Sequence, residues 1–249
     1  MLIPISDDNS SRTETPYIVY LLIAVNVFVF FIELSGGGEA FIAGYSVIPY
    51  EITHGLDLVS TGRLRPGDIP QAAGPSPIYL TLLSSMFMHG GFMHIAGNML
   101  YLWIFGDNVE DDFGHVKFVI FYLVCGIAAS FSQIAIDPNS MIPSLGASGA
   151  IAGVLGAYLI MFPGNRVRCI LPLGFIWTTI ELPAVVVLGF WIVIQVFSQY
   201  TAFSHTARRS GGVAYMAHIG GFVAGLILTF IFRSRRPPRF RPVSYYEDD

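Results

Sequence analysis

The sequence predicts an all-α, polytopic membrane protein, and three observations carry that prediction. The chain has 249 residues, of which 53% are hydrophobic and only 12% charged. Its mean hydropathy of +0.61 is too high for an ordinary soluble domain. Six separate apolar runs approach the ~20 residues that a helix needs to cross a bilayer. The net charge of −4 decides little, because membrane proteins use charge by location.

The first span covers Tyr17 to Glu33 and is ended by Gly36-Gly37-Gly38. A long segment, Ser35 to Pro77, follows, with Pro49, Pro66, Pro70, Pro75 and Pro77. Connections of that length are functional or disordered. Phe41-Ile42, Tyr45 and Val47-Ile48 place part of this one in the membrane interface. Ile78 to Met88 reads as a short amphipathic helix leading into the second span, Gly91 to Gly106. The third span is Val116 to Ile136, and the fourth is Ser148 to Phe162, closed by Pro163-Gly164. Cys169 to Thr179 is apolar but holds Pro172 and Gly174, and reads as a re-entrant or interfacial piece. The fifth span is Pro183 to Tyr200 and the sixth Val213 to Phe232. The chain thus divides into a polar segment 1–16, a membrane domain 17–232 and a basic tail 233–249 expected to be disordered. Met1 to Thr15 lacks the basic region and cleavage site of a signal peptide, so the first span is expected to be retained. Cys125 and Cys169 have no metal-ligand spacing and fix no disulfide. No stretch suggests nucleic-acid binding.

Six spans put both termini on one side, and Lys and Arg choose the side. Arg12, Lys117, Arg166, Arg168, Arg233, Arg235, Arg236, Arg239 and Arg241 fall on the terminal side, against Arg63, Arg65, Arg208 and Arg209 opposite. The termini are therefore expected in the cytoplasm, in a plasma (inner) membrane.

Chemistry concentrates at Gly146-Ala147-Ser148-Gly149-Ala150. A serine at a helix start sits beside backbone N–H groups that lack intrahelical partners and can donate to an oxyanion. Gly146 and Gly149 let a substrate or another backbone come close. The plain alternative is a helix-capping serine on a packing helix. His218, alone inside the sixth span, argues for more, because a histidine within a membrane helix is costly. It lies five residues past Val213, about 7 to 8 Å down the helix, so it shares a depth with Ser148. Small residues recur every fourth position at Gly149, Gly153 and Ala157, and at Ala217, Gly221 and Gly225, which lets spans four and six approach closely. The second span adds His94 and Asn98 on one face, with His89 just ahead. His94 and Asn98 carry donors that acyl transfer could use, while Asn98 as an interhelical bond and His89 as a loop tie remain open. The histidines of this span do not match His-Glu-x-x-His, so a metal centre is disfavoured. Asp107, Glu110 and Asp111 sit at the far end of the span, which leaves no acid for a triad and points to a Ser–His dyad. The polar segment Ser198 to Gly212, with Gly211-Gly212, reads as a loop near the site that admits substrate or water.

These motifs resemble the rhomboid family of intramembrane serine proteases. Met88-His89-Gly90-Gly91 through His94-Ile95 to Asn98-Met99 is similar to its span-two motif, Gly146-Ala147-Ser148-Gly149 to its Gly-x-Ser-Gly motif, and Ala217-His218 with Gly221 and Gly225 to its last motif. The resemblance covers Thr81 to Phe232 and implies a six-helix rhomboid-like bundle. It implies Ser148 as nucleophile, His218 as general base, and His94 and Asn98 in the oxyanion hole, with His89, Gly146 and Gly149 in support. It implies transmembrane protein substrates within the lipid bilayer, and no cofactor. Leu80-Thr81 stands where some members have Trp-Arg, and Ala152 where some have an aromatic ring stacked on the histidine. The second departure leaves the orientation of His218 to other contacts. A non-catalytic binder of membrane proteins and a channel or transporter are the competing classes. Intact Ser148 and His218 oppose the first, and the lack of an internal repeat opposes the second.

Overall fold

Strand β1 (Ile3–Asp7) comes first, followed by helix α1 (Tyr17–Ile32), whose end widens into a π-turn at Glu33–Gly37. Two short helices follow, α2 (Gly38–Tyr45) and α3 (Pro49–His54), then the one-turn α4 (Thr81–Ser84) between 3-10 turns. The remaining elements are α5 (Phe92–Phe113), α6 (His115–Ile136), α7 (Ser148–Met161), β2 (Arg166–Leu173), β3 (Ile176–Pro183), α8 (Ala184–Ser204) and α9 (Tyr215–Phe232). This computed structural model describes residues 2–63, 72–173, 176–204 and 213–233. The basic tail beyond 233 and loop residues 205–212 lie outside the described residues.

The architecture is a helical membrane bundle. Among the described helices, four are long and apolar enough to cross a membrane by themselves: those at Tyr17–Ser35, His115–Ile136, Ala184–Ala202 and Tyr215–Phe232. Helix α5 has the length but carries Asp107, Glu110, Asp111 and Asp112 in its last two turns. Helix α7 has only 14 residues, apolar on every side, and is buried on every side from Gly149 to Tyr158. It is the central post of the bundle.

Glycine fixes how tightly α7 and α9 meet. A methyl group on Gly221 would collide with the carbonyl of Gly149, and one on Gly225 with the carbonyl of Gly153. The small-residue stripes therefore face each other backbone to backbone.

The end of the bundle away from Ser148 carries the acids. Glu110 accepts the N–H groups of Ile18 (2.9 Å) and Val19 (2.8 Å), donors that the start of α1 leaves without intrahelical partners. Asp107 pairs with Arg12, and Asp111 accepts from the backbone of Thr13 and Glu14. These carboxylates hold the N-terminal segment and the start of α1 to α5.

One stretch read from the sequence takes a definite form at this end. Cys169 to Leu173 and Ile176 to Thr179, read as a re-entrant or interfacial piece, are strand: they belong to β2 and β3, which pair antiparallel. Strand β1 adds to this pair in a three-stranded antiparallel sheet of order β1-β2-β3, with Ile3 opposite Ile170 and Asp7 opposite Val167. Val167 and Cys169 are buried while Arg166 and Arg168 point outward, the two-residue alternation of a half-covered strand. Arg168 pairs across the strands with Glu181 at 3.0 Å. The N-terminal segment supplies β1, whose Asp7 accepts hydrogen bonds from Tyr158 Oη and Asn108 Nδ2, both at 2.6 Å. Burial pushes the Asp7 carboxyl up to about 6. One correction concerns the loop before α9: α8 runs on to Ser204, so Ser198 to Ser204 is helix.

Candidate active site

Ser148 is the first residue of α7. The position before it, Ala147, has helical backbone angles, and no side chain caps this helix. The serine hydroxyl therefore does not serve as an N-cap. It meets His218 instead, with Oγ 2.8 Å from Nε2. His218 is in the first turn of α9, seventy residues further along the chain. The α7–α9 seam brings the pair together: the contact of Gly149 with Gly221 lies one residue beyond Ser148 and one turn beyond His218.

Gly146 holds the approach to the serine. Its φ of +121° lies where L side chains are strained, and its N–H donates to Ser85 O at 2.8 Å. A Cβ there would stand 2.8 Å from His94 Nε2 and 3.7 Å from Ser148 Oγ. Gly146 is thus a gap that both side chains border, and His94 is brought to the serine as the sequence suggested.

Asn98 is placed differently. Its side-chain amide meets His89 Nε2 at 2.9 Å, and both residues are buried. The backbone N–H of His89 donates to Glu33 Oε1 at 3.1 Å, tying the end of α1 to the loop ahead of α5. The backbone of His89 makes this tie, while its imidazole meets Asn98. Asn98 has one donor engaged with that imidazole and one further N–H.

Three residues absent from the sequence reading surround His218. Gln195, in the middle of α8, places Oε1 2.8 Å from His218 Nδ1. Trp191, one turn earlier on the same face, lies 5.9 Å from the histidine between ring centres. Tyr215 adds an edge contact at 6.4 Å. Ala152 is fully buried and offers the histidine no ring. A side-chain amide near the middle of an apolar span was the available signal for Gln195.

A narrow cavity of about 30 Å³ adjoins Ser148, bordered by the polar residues Ser85, Ser130 and Ser144. That is room for a water molecule with several partners. Among the described residues, no three His, Cys, Asp or Glu side chains converge to hold a metal ion, and Cys125 and Cys169 are both free and buried.

Fold and site together define an integral, multi-pass membrane protein with a serine–histidine pair at one end of its helical bundle. The chain belongs to the rhomboid family: residues 77–235 match the model of the Rhomboid domain. It is 31% identical over 211 residues to the Rhomboid protease GluP of Bacillus subtilis (strain 168), covering 84% of this chain and 34% of that protein. It is 30% identical over 169 residues to RHOMBOID-like protein 5 of Arabidopsis thaliana, covering 66% and 49%. Rhomboid protein 1, mitochondrial, of Saccharomyces cerevisiae is 31% identical over 152 residues, covering 59% and 40%. The chain thus spans a third to a half of the length of these curated relatives.

Proposed function

We propose that this protein is an intramembrane serine endopeptidase that cleaves transmembrane proteins in or near their membrane spans. Family membership supports intramembrane proteolysis in general. The observation that carries the specific reading is the 2.8 Å bond between Ser148 Oγ and His218 Nε2, made by a hydroxyl that caps no helix.

In this reading His218 Nε2 takes the hydroxyl proton as Ser148 Oγ attacks the scissile carbonyl. The negative charge that develops on the carbonyl oxygen meets the N–H groups at the start of α7 and the side chain of His94. Asn98 offers its second N–H and holds His89. His218 then protonates the leaving amine, and water beside Ser148 is activated by the same histidine to release the acyl group. A spanning helix has its backbone bonds closed, so the substrate must unwind locally, which favours Gly, Pro and other weak helix formers near the cut. The basic loops support an orientation with both termini in the cytoplasm and the site toward the opposite face, in a plasma (inner) membrane.

The test is cleavage of a single-span model substrate by purified wild type, Ser148→Ala and His218→Ala, with the cut mapped by mass spectrometry. Both variants should remain folded and lose turnover, because the pair acts as one unit. Normal turnover by either would remove the dyad.

A further inference from the structure

Gln195 is an amide in an apolar helix. Its neighbours Val193, Val196 and Phe197 face outward at 62%, 52% and 66% exposure, while Gln195 itself is 6% exposed. A polar group turned inward from a membrane helix must find partners, and this one has two. Its Nε2 donates to the Trp191 carbonyl one turn back, a long bond at 3.5 Å. Its Oε1 is 2.8 Å from His218 Nδ1.

The direction of the amide decides the tautomer of the histidine. An amide oxygen can only accept, so His218 Nδ1 must carry the proton. A neutral imidazole has one N–H, which leaves Nε2 with its lone pair toward the Ser148 hydroxyl. That is the form able to take the serine proton. Were the amide turned over, its NH₂ would face Nδ1 and force the proton onto Nε2, where it would block proton transfer. The turned amide would also set its oxygen against the Trp191 carbonyl. The bond to Trp191 therefore selects the orientation that favours the reactive tautomer.

We propose that Gln195 is the positioning residue of this site, fixing the tautomer and ring direction of His218 with Trp191 packed beside it. The proposal rests on the Ser148–His218 reading. It accounts for a site without an acid: the amide oxygen is the acceptor that orients the imidazole. It also accounts for Ala152, since α8 supplies through Trp191 and Gln195 the hold that a ring at that position would provide.

The experiment compares the full chain with Gln195→Leu, Gln195→Glu and Ser148→Ala in one detergent, measuring kcat, KM and melting temperature on material of monodisperse elution. Leucine keeps the volume and removes the acceptor, whereas glutamate keeps an acceptor oxygen. Gln195→Leu should lower kcat roughly ten- to hundredfold, the scale of a misplaced catalytic group, with KM and melting temperature close to wild type. Gln195→Glu should recover most of the rate. Wild-type kcat in Gln195→Leu overturns the proposal, and so does a loss that Gln195→Glu fails to recover or that follows melting temperature or KM instead of kcat. Full activity of Gln195→Leu beside an inactive Ser148→Ala removes Gln195 alone. Cleavage by Ser148→Ala removes the nucleophile assignment on which the proposal stands.

Discussion

Gly221→Ala tests whether the α7–α9 seam sets the geometry of the proposed Ser148–His218 dyad. A Cβ on Gly221 would lie 2.9 Å from the carbonyl carbon of Gly149 and closer still to its oxygen. Carbon–carbon contacts settle at about 3.5–4.0 Å, so the helices must part by about 1 Å at this level. The obstacle is backbone, which cannot rotate aside as a side chain would. Overpacking of this kind costs about 1–3 kcal/mol of stability. The larger effect falls on Ser148 and His218, whose 2.8 Å bond lies immediately beyond the wedge. Displacing a reacting group by about 1 Å costs on the order of a hundredfold in rate. Gly189→Ala in α8 is the control, because nothing lies within 4 Å of its Cβ position. Turnover of the model substrate and melting temperature should be read together. The reasoning fails if Gly221→Ala turns over as fast as wild type, or if Gly189→Ala slows as much.

Further expectations follow from the polar groups on either side of the bundle. His94→Ala should lower kcat with little change in melting temperature, since His94 borders the gap at Gly146. Asn98→Ala should also lower melting temperature, because buried His89 loses a partner, at about 1–3 kcal/mol; melting curves and kcat for the two variants separate these roles. Asp7 is bound in its protonated form more readily in the folded protein, with its carboxyl raised from 3.8 to about 6. Its contribution is therefore complete below pH 3.8 and lost as pH rises through about 6. Asp7→Asn should remove that fall and raise stability at pH 7 by about 1–3 kcal/mol, read from melting temperature against pH. An unchanged pH dependence in the variant would count against a buried, protonated Asp7.

The helices were legible because length and apolarity are the same quantity in a membrane span, and boundaries at Tyr17, Ile136 and Phe232 follow from where polar residues begin. Ser148 and His218 were legible as a candidate pair because each breaks an otherwise apolar or small-residue pattern, and the structure brings them within 2.8 Å. The sheet was not. Ile3–Asp7 and Arg166–Leu173 lie more than 150 residues apart, and no local pattern announces their pairing. An apolar run of eleven residues containing proline is equally compatible with an interfacial piece and a strand, and only the Arg166/Arg168 alternation with Val167/Cys169 favours the strand.

The same distinction explains the site. Residue type marks where a costly polar group must have a purpose, but direction is a property of the assembled backbone. Ser148 fits a helix cap and a partner for another helix equally well until Ala147 takes helical angles and the hydroxyl turns to His218. Asn98 and His94 share a helix face by spacing, yet one is drawn to His89 and the other to Gly146. Gln195 stands 23 residues from His218 on a different helix, so its partner could not be read from spacing at all. What joins these groups is the glycine seam: where backbones touch directly, few torsions remain between one helix and the next, and short side chains suffice to place a hydroxyl against an imidazole. A bundle separated by leucine and phenylalanine would leave the same pair too far apart to bond.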